Sequence, residues 1–516
     1  MMLNILNVYK NCSLPSYFLL QARFKTKTHW AKSKKKTGPK YKALNHFDEF
    51  YGSVFGEKWQ IMREAMTRRS KYVAVVNNYG DAEETEEYLT NRGAHCLKRL
   101  ISAQQEFNKQ YNPSPPTETP TTIEEQSSKI NEFMTKQHTN EISSIYPQSD
   151  NIPDRLDNMY NDEVPKKESI KNSDKFNHPT KTLDQSMAEA KIDTSRLIDP
   201  TFGLTNESLY QFLPATKLKG MDDWVPESLH YSYYSKDRDF PLVIEPETDL
   251  KYPEHLKVYT YEMDSELTSF PEPKRTTTGV FNYYPMDCGS VLAVLALGLS
   301  VGDRVLDMCS GPGGKALVAL QTLLPDVVIC NDISISRSNR IHNIFRQYLF
   351  DFETSNRWRE RVLFKRVDGR YLEDELGFDK VLVDVPCTTD KHSINEDENN
   401  IFRPDRIKER LRIPEMQSQL LSNALKLTKV GGTVVYSTCS LSPVQNDGVV
   451  HMALKQAFEA NAIVANVKDM TSSMAGLSST LVLGSGSAAP KYGQLVTPSI
   501  GANFGPSYIC KLVRVR

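Results

Sequence analysis

The chain has no apolar run of the about 18 residues that a membrane-spanning helix needs; its longest, 291–297, has the length of a buried core segment. The eight cysteines, Cys12, Cys96, Cys288, Cys309, Cys330, Cys387, Cys439 and Cys510, show no CxxC spacing and no regular pairing. That argues against zinc fingers and a disulfide scaffold, fits a reducing compartment, and leaves thiols free for chemistry. Charge of one sign is not in excess either: Lys and Arg number 63, Asp and Glu 64. Net charge therefore announces no nucleic-acid binder.

Local absences are more telling. Residues 1–47 contain no Asp or Glu but ten Lys or Arg, with apolar residues interspersed. This is the composition of a mitochondrial transit peptide and basic leader; the competing reading is a basic arm for RNA or nuclear import, helped by Lys34, Lys35 and Lys36. Residues 112–190 lack Gly and Trp and hold a single Val, Val164. Such a stretch buries too little apolar surface to offset chain entropy, so a disordered insertion is expected over 105–195. Before it, 48–104 reads as an N-terminal helical extension: Phe55, Trp59, Met62 and Met66 share one helix face, followed by an extended segment at 72–76. After it, 196–279 reads as an irregular segment, rich in aromatics, that packs on the catalytic domain.

From 280 to 516 strands and helices alternate. Strands are expected at 304–308, 327–331, 362–367, 379–384, 432–437 and 508–515, with helices at 287–298, 314–324, 335–349 and 415–428. The pattern implies an α/β fold with a mostly parallel sheet covered on both faces, and ligands beyond the carboxyl ends of its strands.

Those ends carry the polar residues. The first strand runs into VLDMCSGPGGKA, 305–316, where Gly311, Gly313 and Gly314 let backbone approach a ligand and the helix amides can receive an anion. The spacing is neither the dinucleotide fingerprint nor the phosphate loop, since Lys315 is followed by Ala316. A nucleoside with a carboxylate in place of phosphates fits, which points to S-adenosylmethionine. The second strand ends in Asp332, positioned like a ribose-binding carboxylate, and the third in Asp368-Gly369, where an acid can accept from an adenine amino group. Each Asp alone has a plainer reading as a helix cap or turn former; three successive strand ends of this kind strengthen the joint case.

The fourth strand ends in Asp384, Pro386 and Cys387, the fifth in Cys439. Most free cysteines are inert and buried, the reading given to Cys288, Cys330, Cys510 and Cys309. Two thiols at neighbouring active ends are different. Methylating an amine or hydroxyl needs no thiol, but carbon 5 of cytosine is a poor nucleophile. A thiolate adding to carbon 6 moves electron density to carbon 5. Asp384 would bond the cytosine amino group and protonated ring nitrogen, stabilising the adduct, and a protonated Asp of raised pKa is expected in that pocket.

The segments CSGPGGK (309–315), DVPCTTDKHS (384–393) and YSTCS (436–440) resemble the Sun family of RNA 5-methylcytosine methyltransferases, over 280–516 and more weakly over 48–104. The resemblance implies a Rossmann-like class I S-adenosylmethionine-dependent fold with a mostly parallel seven-stranded sheet. It implies that Gly313, Gly314, Lys315, Asp332, Arg337, Asp368, Gly369 and Asp384 contact the cofactor or lie beside it. It assigns the nucleophile to Cys439 and assistance in product release to Cys387, a choice the residues alone do not make. The pieces HFDEFYGSVFGEKW (46–59), DVPCTTDKHSINEDENNIF (384–402) and GANFGPSYICKL (501–512) resemble the branch acting on mitochondrial small-subunit ribosomal RNA. That branch implies a matrix location, a role in ribosome assembly, and a partner of the mitochondrial transcription termination factor family, a helical-repeat protein that supplies RNA affinity. Ser310, Gly311 and Ala316 depart from the family's usual Ala, Ala and Thr. Rival readings are a non-catalytic ribosome-assembly factor, and a methyltransferase acting on tRNA, other RNA, DNA or protein.

Overall fold

A computed structural model describes residues 38–103, 240–265, 269–485 and 489–516. Residues 1–37 of the leader, the insertion expected over 105–195, and 196–239 lie outside the described residues.

Helix α1, Pro39–Phe55, opens with proline in its first turn, where the missing N–H costs nothing. Ala43, Phe47, Phe50, Tyr51 and Phe55 form its buried stripe. The boundary placed at residue 47 thus falls inside a helix. Gly56, at φ +57°, ends α1 before α2, Lys58–Thr67, begins. The single helix face expected from Phe55 to Met66 is therefore two helices, because the glycine takes a left-handed turn that breaks the run.

The rest of this extension is not purely helical. Strand β1, Val73–Val76, is followed by α3, Ala82–Asn91, and β2, His95–Cys96. Further on come β3, Ile244–Pro246, β4, Val258–Thr260, and β5, Tyr283–Met286. Strands β2, β4, β1 and β5 make a small antiparallel sheet in that order.

The main sheet begins after α4, Cys288–Ala296. It contains β6, Arg304–Asp307; β7, Val327–Asn331; β8, Val362–Lys365; β9, Phe378–Asp384; and β10, Thr428–Thr438. Between them run α5, Gly314–Gln321; α6, Ile335–Tyr348; α7, Asn356–Arg361; α8, Asp390–Asn395; and α9, Ile407–Leu427. Helix α9 begins at Ile407 rather than at 415, running through Pro414. Buried Leu411 and Ile413 anchor that first part, so packing overrides the breaker. Helix α10, Val449–Asn461, leads to β11, Ala465–Asp469; β12, Val482–Leu483; β13, Gln494–Thr497; and β14, Ser507–Arg514.

Strands β10, β9, β6, β7 and β8 are parallel neighbours in that order. Strand β14 runs antiparallel beside β10. Its other edge is shared: β13 pairs its first half and β11 its second. The seven-stranded pattern is present, and β3, β12 and β13 enlarge the sheet to ten strands. These are two to four residues long, too short to carry a readable period.

Alternate residues serve opposite faces. Leu306, Ile329, Val381, Val383, Val434 and Tyr436 join one core with α1, α9 and α10. Val305, Val328, Cys330, Leu382 and Val435 join the other with α4, α5 and α6. Burial on both faces is why these strands read as continuous apolar runs. No helix among the described residues is long and apolar enough to cross a membrane.

Candidate active site

The parallel strands deliver their final residues to one edge of the sheet, in two groups. After β6, β9 and β10, which are neighbours, come Lys315, Asp384, Cys387 and Cys439. After β7 and β8 come Asp332 and Asp368.

In the first group Cys387 and Cys439 touch: their sulfurs lie 3.2 Å apart. Cys439 is exposed, whereas Cys387 is only 8% exposed. The hydrogen bond to Cys387 holds the Cys439 thiol well above its usual range, as do burial of its sulfur and the Asp384 charge; Lys315 pulls the other way. Lys315 Nζ donates to Asp384 Oδ2 at 2.6 Å, and Ser437 Oγ donates to Oδ1 at 2.8 Å. Burial opposes the charge on Lys315, but the adjacent Asp384 outweighs it and raises the lysine pKa. Asp384 thus faces an ammonium and a hydroxyl.

In the second group, Asp332 Oδ1 accepts from Ser334 N at 2.8 Å and Arg337 Nε at 3.0 Å. Its Oδ2 accepts from Gly311 N at 3.2 Å and keeps room for one further donor, such as a ribose hydroxyl. Asp368 is gripped by Arg370, whose Nη2 lies 2.7 Å from Oδ2, and this ion pair holds the carboxyl below its ordinary range. Arg337 and Asp332 therefore meet. Gly369 serves packing: a Cβ there would lie 2.8 Å from Leu420 and 2.9 Å from Met308.

The turn between the groups is a cradle with an unmet charge. Gly313 stands at φ +111°, and a Cβ on Gly311 would come within 2.6 Å of Asp332 and 2.7 Å of Arg337. Asp307, the last residue of β6, is 2% exposed, and neither of its carboxylate oxygens has a hydrogen-bond partner among the described residues; Ser310 Oγ has none either. Burial, then the Asp384 charge, pushes the Asp307 pKa up to about 7. A buried carboxylate without donors asks for a cation. S-adenosylmethionine brings an ammonium, a sulfonium and a nucleoside, and exposed Ile333 beside Asp332 offers an apolar surface for its base. The residues present fit that cofactor. Asp307 was not singled out in the sequence, although an acid ending a buried apolar strand is the signal that marks it.

Behind the thiols lies a buried polar network. Asp390, fully buried, accepts from Tyr51 Oη at 2.6 Å, from Leu441 N at 2.7 Å, from Ser440 Oγ, and from Thr388 Oγ1. Gln445 Oε1 accepts from Thr388 N at 3.1 Å, and its Nε2 donates to Thr388 Oγ1 at 3.1 Å.

A parallel sheet wound on both faces, with a glycine-rich cradle after β6, acids after β7 and β8, and an unpaired buried carboxylate, defines a class I S-adenosylmethionine-dependent methyltransferase. The family model described as 16S rRNA methyltransferase RsmB/F matches residues 294–487. The protein of Caenorhabditis elegans named 5-cytosine rRNA methyltransferase nsun-4 is 32% identical over 513 residues, covering 98% of this chain and 99% of that protein. The Bos taurus protein named 5-cytosine rRNA methyltransferase NSUN4 is 42% identical over 265 residues, 51% of this chain and 67% of that one. A crystal structure of NSun6 from Pyrococcus horikoshii with SFG aligns to 46% of this chain and 54% of its own, at 23% identity and a TM-score of 0.35, too low to add to the argument. The chain belongs to the Sun family of RsmB/F methyltransferases.

Proposed function

We propose that the protein methylates carbon 5 of a cytosine in mitochondrial small-subunit ribosomal RNA, with Cys439 as the attacking nucleophile. The observation that carries the roles is the contrast within the thiol pair: Cys439 is an exposed residue at the site, and Cys387, with its sulfur 3.2 Å from that of Cys439, is buried. Support for the RNA class comes from relatives named as 5-cytosine rRNA methyltransferases, one of them covered over 99% of its length. A mitochondrial matrix location agrees with the acid-free leader. A helical-repeat partner of the mitochondrial transcription termination factor family, and a role in ribosome assembly, agree with a near-neutral chain that needs help to hold phosphate.

S-adenosylmethionine, held by Asp307, Asp332, Arg337, Asp368 and the 311–315 turn, supplies an electrophilic methyl group. The residues of the chain do the rest. The target base leaves its stack to reach the pocket. As the Cys439 sulfur bonds to carbon 6 of the ring, the thiol proton is taken up by ring nitrogen 3, and the Lys315 charge favours the thiolate. Asp384 accepts hydrogen bonds from the cytosine amino group and from ring nitrogen 3 once protonated. After carbon 5 is methylated, its proton passes to the Cys387 sulfur, acting as thiolate, and from there to solvent, while nitrogen 3 gives its proton back. The carbon 5–carbon 6 double bond then re-forms, and Cys439 departs as thiolate.

The test is made on the full chain with a ribosomal-RNA transcript. Cys439→Ala should abolish methylation while S-adenosylhomocysteine still binds. Cys387→Ala should trap a covalent protein–RNA species on denaturing gels. Full activity of Cys439→Ala overturns the mechanism, and preferential methylation of tRNA or DNA overturns the substrate.

A further inference from the structure

The segment joining Cys387 to α8 is strained. Thr389 has φ +44° and ψ +61°, a left-handed conformation that a β-branched residue adopts only when its surroundings impose it. Its side chain is exposed and does not impose it. The two residues that flank it are buried and bonded. Thr388 is held by Gln445 through both backbone and hydroxyl. Asp390 is held by Leu441 N and Ser440 Oγ, which follow Cys439, and by Tyr51, which comes from α1 339 residues away. The Asp390 N–H also donates to the Cys439 carbonyl at 3.3 Å. One carboxylate thus joins both thiol-bearing loops to the N-terminal helix. The strained turn has a visible product: the Thr389 N–H points at Cys387 Sγ, 3.4 Å away.

We infer that Tyr51 is a positioning residue for product release: through Asp390 it holds Thr389 in the left-handed turn that orients the Cys387 sulfur against Cys439. The inference rests on the release role proposed for Cys387. It makes α1 part of the active site and not only a cover for the core.

Tyr51→Phe keeps the ring in its aromatic surroundings of Phe47, Phe55 and Trp59 and removes only the hydroxyl. A hydrogen bond to a carboxylate is then lost, and turnover should fall about tenfold. KM for S-adenosylmethionine should stay within about twofold, since this network does not contain the cofactor cradle. The covalent protein–RNA species should accumulate, as expected for Cys387→Ala. A protein that merely folds less well would lose adduct and turnover together. Thr389→Gly supplies the second arm, because glycine adopts a left-handed turn without strain. In the Tyr51→Phe background it should restore a large part of turnover. Unchanged turnover in Tyr51→Phe, or a parallel loss of adduct and turnover that Thr389→Gly does not restore, overturns the inference. Adduct trapped by Cys387→Ala but not by Tyr51→Phe overturns this inference alone; adduct in neither overturns the mechanism beneath it.

Discussion

Asp307→Asn should make the protein more stable and a poorer binder of its cofactor. The wild-type carboxyl is buried without donors, and its pKa is pushed up to about 7 against 3.8 for the free group. A raised folded-state pKa means the stability is fully present below pH 3.8 and is lost as pH rises through about 7. Three pH units at about 1.36 kcal/mol each correspond to about 4 kcal/mol of destabilisation in the cofactor-free protein above pH 7. Asparagine removes the charge but leaves a buried amide, so the gain should be about 2–3 kcal/mol at pH 8 and near zero at pH 4. The bound state reverses the sign. If the carboxylate pairs with the ligand's ammonium, losing it should weaken S-adenosylhomocysteine by about 3 kcal/mol, on the order of 100-fold. Urea unfolding at pH 4 and pH 8, with and without S-adenosylhomocysteine, reads both quantities. Equal stability of the two proteins at pH 8, or undiminished affinity in the variant, refutes the reasoning.

The Cys439 thiol is held high by Cys387, so its thiolate fraction near neutrality is small and grows tenfold per pH unit. Adduct formation by the wild-type chain, followed by quenched single-turnover assay, should rise with a logarithmic slope near one between pH 6.5 and 8.5, and a flat profile would exclude rate-limiting ionisation. Lys315→Met removes a neighbouring charge that favours the thiolate, so the same profile should move to higher pH. At the base of the sheet Arg304 grips Asp374 at 2.7 Å, with Lys365 beside it, and lowers the Asp374 pKa to about 2. This stability is present above the unfolded carboxyl pKa and is lost as pH falls through about 2. Asp374→Asn should therefore cost about 1–2 kcal/mol at pH 7, measured by thermal or urea unfolding, and progressively less below pH 4.

The catalytic half was legible because its signals are local. Buried parallel strands read as unbroken apolar runs, and the polar residues that end them, Asp332, Asp368, Asp384, Cys387 and Cys439, stand out against that background. The ends meet because β10, β9 and β6 are neighbours, an order of which the sequence suggests only the adjacency of the fourth and fifth strands. Other features depend on contacts between distant segments. The small sheet joins 73–76, 95–96, 258–260 and 283–286, each too short to show a period. Tyr51 reads as one more aromatic on a helix face until Asp390 is seen beneath it. The partner of Asp384 is Lys315, which the sequence places in the cofactor turn and the fold brings to 2.6 Å from that side chain. Gly311 reads as a harmless replacement for alanine, yet a methyl group there would press on Asp332 and Arg337.

The most direct test of the central claim is bisulfite sequencing of mitochondrial small-subunit ribosomal RNA from cells with and without this protein, and from cells carrying Cys439→Ala. The account predicts one protected cytosine that becomes converted when the protein is absent and stays converted when the variant replaces it. Protection that persists without the protein, or that the Cys439→Ala variant restores, would contradict it.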